Sequence, residues 1–409
     1  MKIIFKSLCS FAFALVLTSA ISCKEQKKEN TVTDTPTPLA VDTTKKWSER
    51  MALSIMKRNE QAWQIDHAKK PKWDYVHGLV LLAFEELYKE TGNKEYYNYT
   101  KAYADELIDS SGTIINYELE KYNIDMINAG KILFDLYDST KDERYRKAMD
   151  TLRLQLTGQP RTKSGGFWHK KRYPNQMWLD GLYMGAPFYA EYTSTYEDGK
   201  ALDDIAMQFE LIEKNAKDPK TGLLYHGWDE SREMEWADKK TGTSPNFWSR
   251  SLGWYAMALV DVLDYYPDNH PKKEVLISYL NELATAVVKF QDASGLWYQV
   301  TDMGDKEGNY LEASGSSMLT YTLAKAVNKG YIPESFQKNA DAGFNGLTSQ
   351  LIKVAEDGEI TITQVCAVAG LGGNPYRDGS YEYYVNEKKK DNDPKATGPF
   401  ILAALELDK

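Results

Sequence analysis

The chain is predicted to be all-α, an (α/α)6 barrel: a closed toroid of six helical hairpins with short β segments confined to its loops. Three observations carry this expectation. Apolar residues recur at helical spacing through most of the sequence, as in Leu79, Leu82, Phe84 and Leu87. Strand-like alternation is scarce, limited to Leu223 to His226, Leu296 to Val300 and Glu359 to Ile362. And a Gly opening a short aromatic or β-branched run returns at Gly112, Gly166, Gly222, Gly295 and Gly358. These glycines stand about 55 to 75 residues apart, the length of a helical hairpin with its loops. A solenoid that stays open would show uniform capping repeats, which this sequence lacks.

Residues 1–22 read as a leader. Lys2 and Lys6 supply positive charge, and Phe11 to Ser19 is almost wholly apolar or small. That run is short for a membrane span and suits a signal-peptide core. Ala20-Ile21-Ser22-Cys23 resembles a bacterial lipobox, with Ala20 where Leu or Val is usual. Cys23 is therefore expected to be lipidated, which would anchor the protein to a bacterial cell membrane, in the outer membrane at its periplasmic face or the cell surface. Plain secretion with cleavage nearby is the alternative. Residues 23–46 are rich in Lys, Glu, Thr, Pro and Asp, as in Thr35-Pro-Thr-Pro38. Such a composition cannot bury a core and reads as a flexible tether. The catalytic body is expected over 47–409.

The helical stripes continue in Met126, Ile127, Ile132, Leu133 and Leu136, and again in Trp254, Met257, Ala258, Val260 and Leu263. Between the stripes, the Gly-aromatic loops occupy the same place in each period, so they gather on one rim of the scaffold. Loops on one rim of a rigid frame are where sites are built. Two of the five histidines, His169 and His226, lie in these loops.

Composition narrows the function. The net charge is −9, and no basic tract or Lys/Arg stripe is present, which argues against nucleic acid as a partner. Cys9 and Cys23 belong to the leader and anchor, so Cys366 stands alone and no internal disulfide is expected. No His-Glu-x-x-His helix, Cys-x-x-Cys pair or calcium loop occurs, and no metal or other cofactor is expected. A Gly-x-Ser-x-Gly elbow and a phosphate-binding loop are also missing. Gly370-Leu-Gly-Gly373, followed by Asn374-Pro-Tyr-Arg-Asp-Gly379, reads as a turn. Twenty-eight Tyr and ten Trp supply rings that stack on apolar sugar faces, though many serve as core.

Two acids stand out. Asp180 sits in Tyr173-Pro-Asn-Gln-Met-Trp-Leu-Asp-Gly-Leu-Tyr-Met-Gly-Ala-Pro-Phe188, at the start of a helix and among aromatic and apolar residues. A carboxyl walled by Trp and Met is expected to hold its proton, as a catalytic acid must. A buried Asp capping its own helix is the plain alternative. Asp125, in Tyr122-Asn-Ile-Asp-Met-Ile-Asn-Ala-Gly130, lies at a helix N-terminus that favours its ionised form. Alone it reads as a cap; with Asp180 it forms a pair pushed to opposite charge states. Phe247-Trp-Ser-Arg-Ser-Leu-Gly-Trp-Tyr255 sets Arg250 between Trp248 and Trp254. The guanidinium suits a substrate carboxylate or sulfate, or else stacks on Trp at a helix start.

These segments, with Gly166-Phe-Trp-His-Lys170 and Val365-Cys-Ala-Val-Ala-Gly-Leu-Gly-Gly373 through Pro375-Tyr-Arg-Asp-Gly-Ser380, resemble glycoside hydrolase family one hundred and five, the unsaturated glucuronyl/galacturonyl hydrolases. The resemblance runs from Trp47 to the C-terminus. It implies an (α/α)6 barrel without a metal and an unusual reaction. A terminal uronic acid with a C4–C5 double bond, left by a polysaccharide lyase, is removed by hydrating that bond. An Asp protonates C4 and assists water at C5; the hemiketal opens and the glycosidic link collapses. Asp180 matches this acid/base. Asp125 matches the second acid, which positions water or a sugar hydroxyl. His169, Trp178, His226, Trp248, Arg250 and Trp254 match positions lining the sugar pocket. The sequence departs from the family pattern at Asn175, where His is commoner, and at Ser249, where Gly is commoner.

The resemblance implies an unsaturated oligosaccharide as substrate: unsaturated glucuronyl linked to sulfated rhamnose from ulvan, or unsaturated galacturonyl-rhamnose from pectin. The sequence reading leans to ulvan. Lys170, Lys171 and Arg172 are placed to meet a sulfate or to form a solvated basic face. A lyase or ordinary glycosidase on the same toroid, and a sugar-binding lipoprotein without catalysis, are the rival readings.

Overall fold

Residues 40–407 are described in a computed structural model. The leader, Cys23 and the tether up to residue 39 lie outside the described residues. Helices alternate between an outer and an inner wall. Outer α1 (Trp47–Arg58) is followed by inner α2 (Tyr75–Thr91), and outer α3 (Lys94–Leu107) by an inner 3-10 segment, Ile124–Ile132, that runs on into α4 (Leu133–Thr140). Outer α5 (Glu143–Gly158) precedes inner α6 (Leu179–Tyr196), and α7 (Leu202–Ala216) precedes α8 (Ser249–Val262). Outer α9 (Lys273–Val287) leads to inner α10 (Ala313–Asn328). Outer α11 (Gln337–Gly346) leads, through the short α12 (Tyr381–Asn386), to inner α13 (Pro394–Leu407).

The inner wall closes on itself. α2 packs on the 124–132 segment, that segment on α6, α6 on α8, α8 on α10, α10 on α13, and α13 back on α2. This is the six-hairpin toroid that the sequence predicts. The two walls differ in residue pattern for a physical reason. Outer α3 buries Tyr96, Tyr99, Thr100, Tyr103, Ala104 and Leu107, a stripe at helical spacing, and leaves its other face to solvent. Inner α8 is buried at every position from Ser249 to Val262, because neighbours cover it on all sides. The apolar stripe read around Trp254 is thus part of a helix with no solvent face.

Polar caps start the helices. Asp74 accepts from the Val76 N–H at 3.3 Å to open α2, Asn93 from Glu95 at 3.0 Å to open α3, and Asp142 from Arg144 at 3.0 Å to open α5. The inner helices approach closely where side chains are small. A Cβ added at Gly78 of α2 would lie 2.4 Å from the Ala129 Cα, so the backbones meet there without room for a methyl.

Links from inner to outer helices are short, such as 92–93 and 141–142, whereas links from outer to inner helices are long, such as 159–178 and 217–248. All the long loops therefore gather at one rim, where the inner helices begin. Most of them open with a small antiparallel turn: Ile108 bridges Ile114, Arg161 bridges Phe167, and Lys217 bridges Leu224. The last repeat widens into strands β3 (Ile352–Val354) and β4 (Ile360–Ile362), as read from Glu359 to Ile362. In the second repeat the residue at positive φ is Gly165 (φ 99°), one position before the Gly166 that the sequence pattern selected.

Two further β expectations shift. Leu223 to His226 makes one bridge, at Leu224, and Leu296 to Val300 makes isolated bridges at Tyr298 and Val300. The paired strands are instead β1 (Gln176–Trp178) and β2 (Gly227–Asp229), whose alternation is hidden because both are buried on both faces. The folded body also reaches back before Trp47. Val41 is buried, and its N–H donates to the Asp357 carbonyl at 2.8 Å, since an apolar β-branched side chain finds cover even in a polar tether.

Gly78→Ala tests the close approach in the inner wall. Forcing a methyl into a packed backbone contact costs about 1–3 kcal/mol. The melting temperature is expected to fall by several degrees, read by thermal denaturation, with no change in net charge.

Candidate active site

The site is assembled by backbone pairing between three long loops. β1 runs directly into α6, and β2 follows His226 without a break. Their antiparallel register pairs Gln176 with Asp229, Met177 with Trp228 and Trp178 with Gly227. The Leu179 N–H then donates to the His226 carbonyl at 3.0 Å. On the other side Asn123 bridges Lys170, and the Ile124 N–H donates to the His169 carbonyl at 3.3 Å. His169 itself donates to the Gln176 carbonyl at 2.8 Å. The segment 166–178 thus holds the start of the 124–132 helix on one edge and the 226–229 strand on the other.

This register brings Asp180 to His226. The imidazole Nε2 stands 3.1 Å from Asp180 Oδ2, an ion-pair distance, although the two atoms lack hydrogen-bond alignment. The His226 Nδ1 lies 2.7 Å from the Tyr384 hydroxyl. Burial pushes the Asp180 carboxyl up, but His226, His169 and Arg250 outweigh burial and hold it below the usual carboxylate range. The expectation that Asp180 keeps its proton is therefore corrected for the free site. Its local segment is apolar, yet His226 arrives from the next hairpin and decides the charge state.

Asp125 occupies the first turn of the 124–132 helix. The cap is Asn123, whose Oδ1 accepts from the Asp125 N–H at 3.2 Å, so the Asp125 carboxylate is free for other partners. Those partners are His169, with Nε2 at 3.2 Å, and Lys170, which is in contact. Burial again pushes upward, and Lys170 and His169 hold Asp125 well below its ordinary range. Both acids thus favour the ionised form, and the opposite charge states expected from their local segments are not found. Lys170 is turned onto Asp125. Lys171 donates to the Glu120 carbonyl at 3.3 Å, and the exposed Arg172 lies over the Tyr173 ring at 4.9 Å.

Aromatic rings wall the site. Trp178 stacks on Tyr173 at 4.9 Å and on His169 at 4.6 Å, and those two rings lie 6.5 Å apart. A Cβ at Gly181 would lie 2.9 Å from His169 Nδ1, so the absence of a side chain there lets the imidazole lie against α6. Trp248 stands 4.8 Å from the His226 ring and donates through Nε1 to Gln299 at 3.0 Å. Arg250 is fully buried with its guanidinium 4.5 Å from the Trp248 ring. Its Nη1 donates to the Cys366 carbonyl and to Ser314 Oγ at 3.2 Å, while Nε has no hydrogen-bond partner among the described residues. The stacked arrangement is realised. Trp254, one turn further along α8, lies deeper, stacked on Tyr183 at 5.0 Å and edge-on to Tyr75 at 6.4 Å.

Asp180 Oδ2, His226 Nε2, His169 Nδ1 and Arg250 Nε are all buried without a protein hydrogen bond. Two of them, Asp180 Oδ2 and His226 Nε2, face each other at 3.1 Å and mark a polar ligand site, because orphaned buried groups are costly and rare. A void behind His169 and Trp178, of about 20 Å³, is lined mainly by apolar side chains and includes neither acid; it has room for roughly one water. No group of three or more His, Cys, Asp or Glu among the described residues has the geometry of a metal site.

Sequence reasoning missed Tyr384, Lys170 as the partner of Asp125, and Glu312. The Glu312 carboxylate caps α10 through the Gly315 N–H at 2.7 Å and accepts from the Cys366 N–H at 2.9 Å, bracing the loop that holds Arg250. Proximity of Tyr384 to the Gly370–Ser380 turn was the one available signal. Asn175 has a local explanation: its φ of 61° lies in the left-handed region, which Asn tolerates.

Asp125→Asn removes the charge facing Lys170 and His169. Breaking such a buried pair costs about 3 kcal/mol or more. The folded pKa of Asp125 is depressed, so its stabilisation is fully present above the unfolded value near pH ~4 and is lost as pH falls through the folded one. The gap in melting temperature between the two proteins should be widest near neutral pH and narrow on acidification.

The family model described as Glycosyl Hydrolase Family 88 matches residues 47–409. A solved glycoside hydrolase from Family 105 of C. acetobutylicum ATCC 824 is 47% identical, with a TM-score of 0.85, covering 89% of this chain and 99% of that one. Unsaturated rhamnogalacturonyl hydrolase YesR of Bacillus subtilis (strain 168) is 27% identical over 345 residues, 82% of this chain and 91% of the relative. Unsaturated 3S-rhamnoglycuronyl hydrolase of Alteromonas sp. (strain LOR) is 25% identical over 232 residues, 56% of this chain and 50% of the relative. With the family match spanning the whole barrel, the chain belongs to glycosyl hydrolase family 88 and is an enzyme of the glycoside hydrolase class.

Proposed function

We propose that this enzyme removes a terminal 4,5-unsaturated uronic acid from rhamnose in lyase-generated oligosaccharides by hydrating the C4–C5 double bond. The observation that carries this reading is the Asp180–His226 pair at the start of α6, with the Trp178 and Trp248 rings against the buried His226. Asp180 delivers a proton to C4. Water adds at C5, and its proton returns to Asp180. The resulting hemiketal opens to a ketone, and the hemiacetal left at C1 collapses to release rhamnose. The free-site Asp180 is ionised, and the carboxylate of the substrate supplies the correction. A second negative charge beside Asp180 opposes its ionised form and favours the protonated acid. Asp125, fixed by His169 and Lys170, orients water or a sugar hydroxyl.

The preferred substrate in this reading is unsaturated glucuronyl linked to 3-sulfated rhamnose, as in ulvan fragments. Support comes from the name of the Alteromonas relative and from the exposed Lys171 and Arg172 beside the Tyr173–Trp178 wall. The greater coverage of the rhamnogalacturonyl relative favours a second reading, unsaturated galacturonyl-rhamnose from pectin. Ultraviolet absorbance decides between them. Loss of the double-bond signal on the sulfated disaccharide alone identifies the ulvan enzyme; loss on the unsulfated galacturonyl one alone identifies the pectin enzyme. Loss on neither would sink the hydration reading for both.

Asp180→Asn should lower kcat by about 10²- to 10⁴-fold, the usual contribution of a general acid/base, with KM within about three-fold. Normal turnover in this variant would remove Asp180 from the role.

The proposal includes lipidation at Cys23, which would hold the enzyme on a bacterial membrane, with the outer membrane as the expected location. A labelled fatty acid fed to expressing cells should enter the wild-type protein and not Cys23→Ala; equal labelling would refute the anchor.

A further inference from the structure

Two short lysine runs, far apart in sequence, meet at the mouth of the barrel. One is Lys69, Lys70 and Lys72, in the loop that enters α2; the other is Lys388, Lys389 and Lys390, in the loop that enters α13. α13 packs on α2, and the Lys390 ammonium contacts the Asp66 carboxylate, so the fold ties the two loops together. Lys72 is taken up by Asp74 at 2.9 Å. Lys69, Lys70, Lys388 and Lys389 are exposed, and among the described residues none of them has a carboxylate at ion-pair distance. Lys389 lies over the Tyr310 ring at 4.0 Å. The acids of the second loop are mostly engaged. Asp393 pairs with Lys395 at 2.7 Å and Glu387 bonds to Tyr383, which leaves Asp391 exposed.

Both loops border the pocket. The Ala367 N–H donates to the Lys388 carbonyl at 2.7 Å and the Lys390 N–H to the Val365 carbonyl at 2.8 Å, and Cys366 between them offers its own carbonyl to Arg250. Trp73, in the other loop, donates through Nε1 to the Met126 carbonyl at 2.8 Å, beside Asp125. In the closed order of the inner wall α13 lies opposite α6, so this sector of the rim stands across the mouth from Asp180. We propose that the lysine sector is a binding surface for the rest of the oligosaccharide, an anionic glycan chain with a carboxylate, and in the sulfated case also a sulfate, in each repeat. The proposal rests on the substrate reading above. A chain held by its unsaturated end at Asp180 leaves the pocket through the mouth. A protein of net charge −9 repels such a chain at long range, and four unpaired ammonium groups at the exit reverse the sign locally. Ammonium groups on flexible stems act as point charges without a fixed fork, so they suit a solvated row of anions better than one buried group. Being exposed, these contacts are weakened by salt. Neither run is a basic tract by itself, and only the packing of α13 on α2 makes them one surface.

The test compares the lyase-made disaccharide with its two-repeat tetrasaccharide. In wild-type enzyme at low salt, kcat/KM for the tetrasaccharide should exceed that for the disaccharide by about 5- to 20-fold, the size expected of several exposed charge contacts acting together. The excess should shrink as sodium chloride is raised. A protein carrying Lys69→Gln, Lys70→Gln, Lys388→Gln and Lys389→Gln should lose the excess and keep disaccharide kcat/KM within about two-fold, since the pocket itself is untouched. If the fourfold variant loses disaccharide turnover as well, Lys69→Gln with Lys70→Gln, which leaves Lys389 on the Tyr310 ring, should remove part of the excess alone. A wild-type enzyme without the excess, an excess that salt does not change, or one that survives these substitutions would overturn the proposal. The second readout needs no turnover: migration of the protein through a native gel containing intact ulvan or polygalacturonate. Wild type should be retarded at low salt and the fourfold variant released, with ulvan and polygalacturonate separating sulfated from purely carboxylate chains. Equal retardation of both proteins would overturn the surface, and so would binding to vesicles of anionic lipid with no retardation by either glycan. No turnover of either oligosaccharide, with retardation lost in the variant, would remove the reaction proposed above and keep the surface as a site for anionic glycan.

Discussion

The structure depends on one stretch of backbone, residues 166–178, being paired along both edges. One edge is tied to residues 123–124 and the other to 226–229. Each hydrogen bond is ordinary, but together they lock three hairpins of the toroid at the rim where the inner helices start. Asp125, His169, Asp180 and His226 come from segments far apart in sequence, and this pairing brings them within about 3 Å of their partners. Side chains mounted on helix starts and strands hold their geometry better than side chains on free loops, and catalysis loses heavily when reacting groups are misplaced by about 1 Å. The close contact of Gly181 with His169 shows how little slack remains.

The barrel is electrically asymmetric, and this explains how a chain of net charge −9 can receive an anionic sugar. All six inner helices start at the site rim, so their positive dipole ends converge there, joined by Lys170 and the buried Arg250. At the opposite end the helices finish, and lysines answer their negative ends. Lys325 pairs with Asp261 and Asp264, each at 2.7 Å, and Lys329 reaches Asp264 at 3.2 Å. Lys131, buried over the Tyr183 ring in that half of the bore, is pulled down to about 7 by burial. Net charge governs long-range behaviour, whereas a substrate in a closed pocket responds to the groups around it.

Much of this was legible in the sequence. The repeat of Gly-aromatic loops gave the period of the hairpins and the rim, because each outer helix must turn sharply to feed the next inner one. Asp180, Trp178, Trp248 and Arg250 were found because helix starts leave local marks: an aromatic just before the helix and a polar residue in its first turn. What stayed hidden was everything that depends on a partner from another hairpin. The protonation of Asp180 was misread because Trp178 and Met177 are visible beside it in sequence and His226 is not. Lys170 looked like part of a solvated basic run until its neighbour Asn123 was paired with it. β1 and β2 escaped notice because strands buried on both faces show no alternation, and three-residue strands are too short to show any period.

The low pKa of Asp180 first looks wrong for a catalytic acid, and the proposed reaction gives a reason why it suits the task. In that proposal, a proton given to C4 leaves Asp180 as a carboxylate at the moment positive charge develops at C5 and the ring oxygen. His226, His169 and Arg250 all favour that carboxylate, so they stabilise the enzyme as it is in the transition state rather than as it is before proton transfer. Raising the pKa by wrapping Asp180 in apolar groups would have the opposite effect, holding the proton tightly and destabilising the carboxylate that must form. The task of keeping the proton in place before reaction then falls to the negative charge of the substrate. An uronic acid brings its own carboxylate, and a neutral sugar does not. A site built this way protonates Asp180 most readily when the correct class of substrate is bound, so substrate charge and acid strength are two aspects of one arrangement.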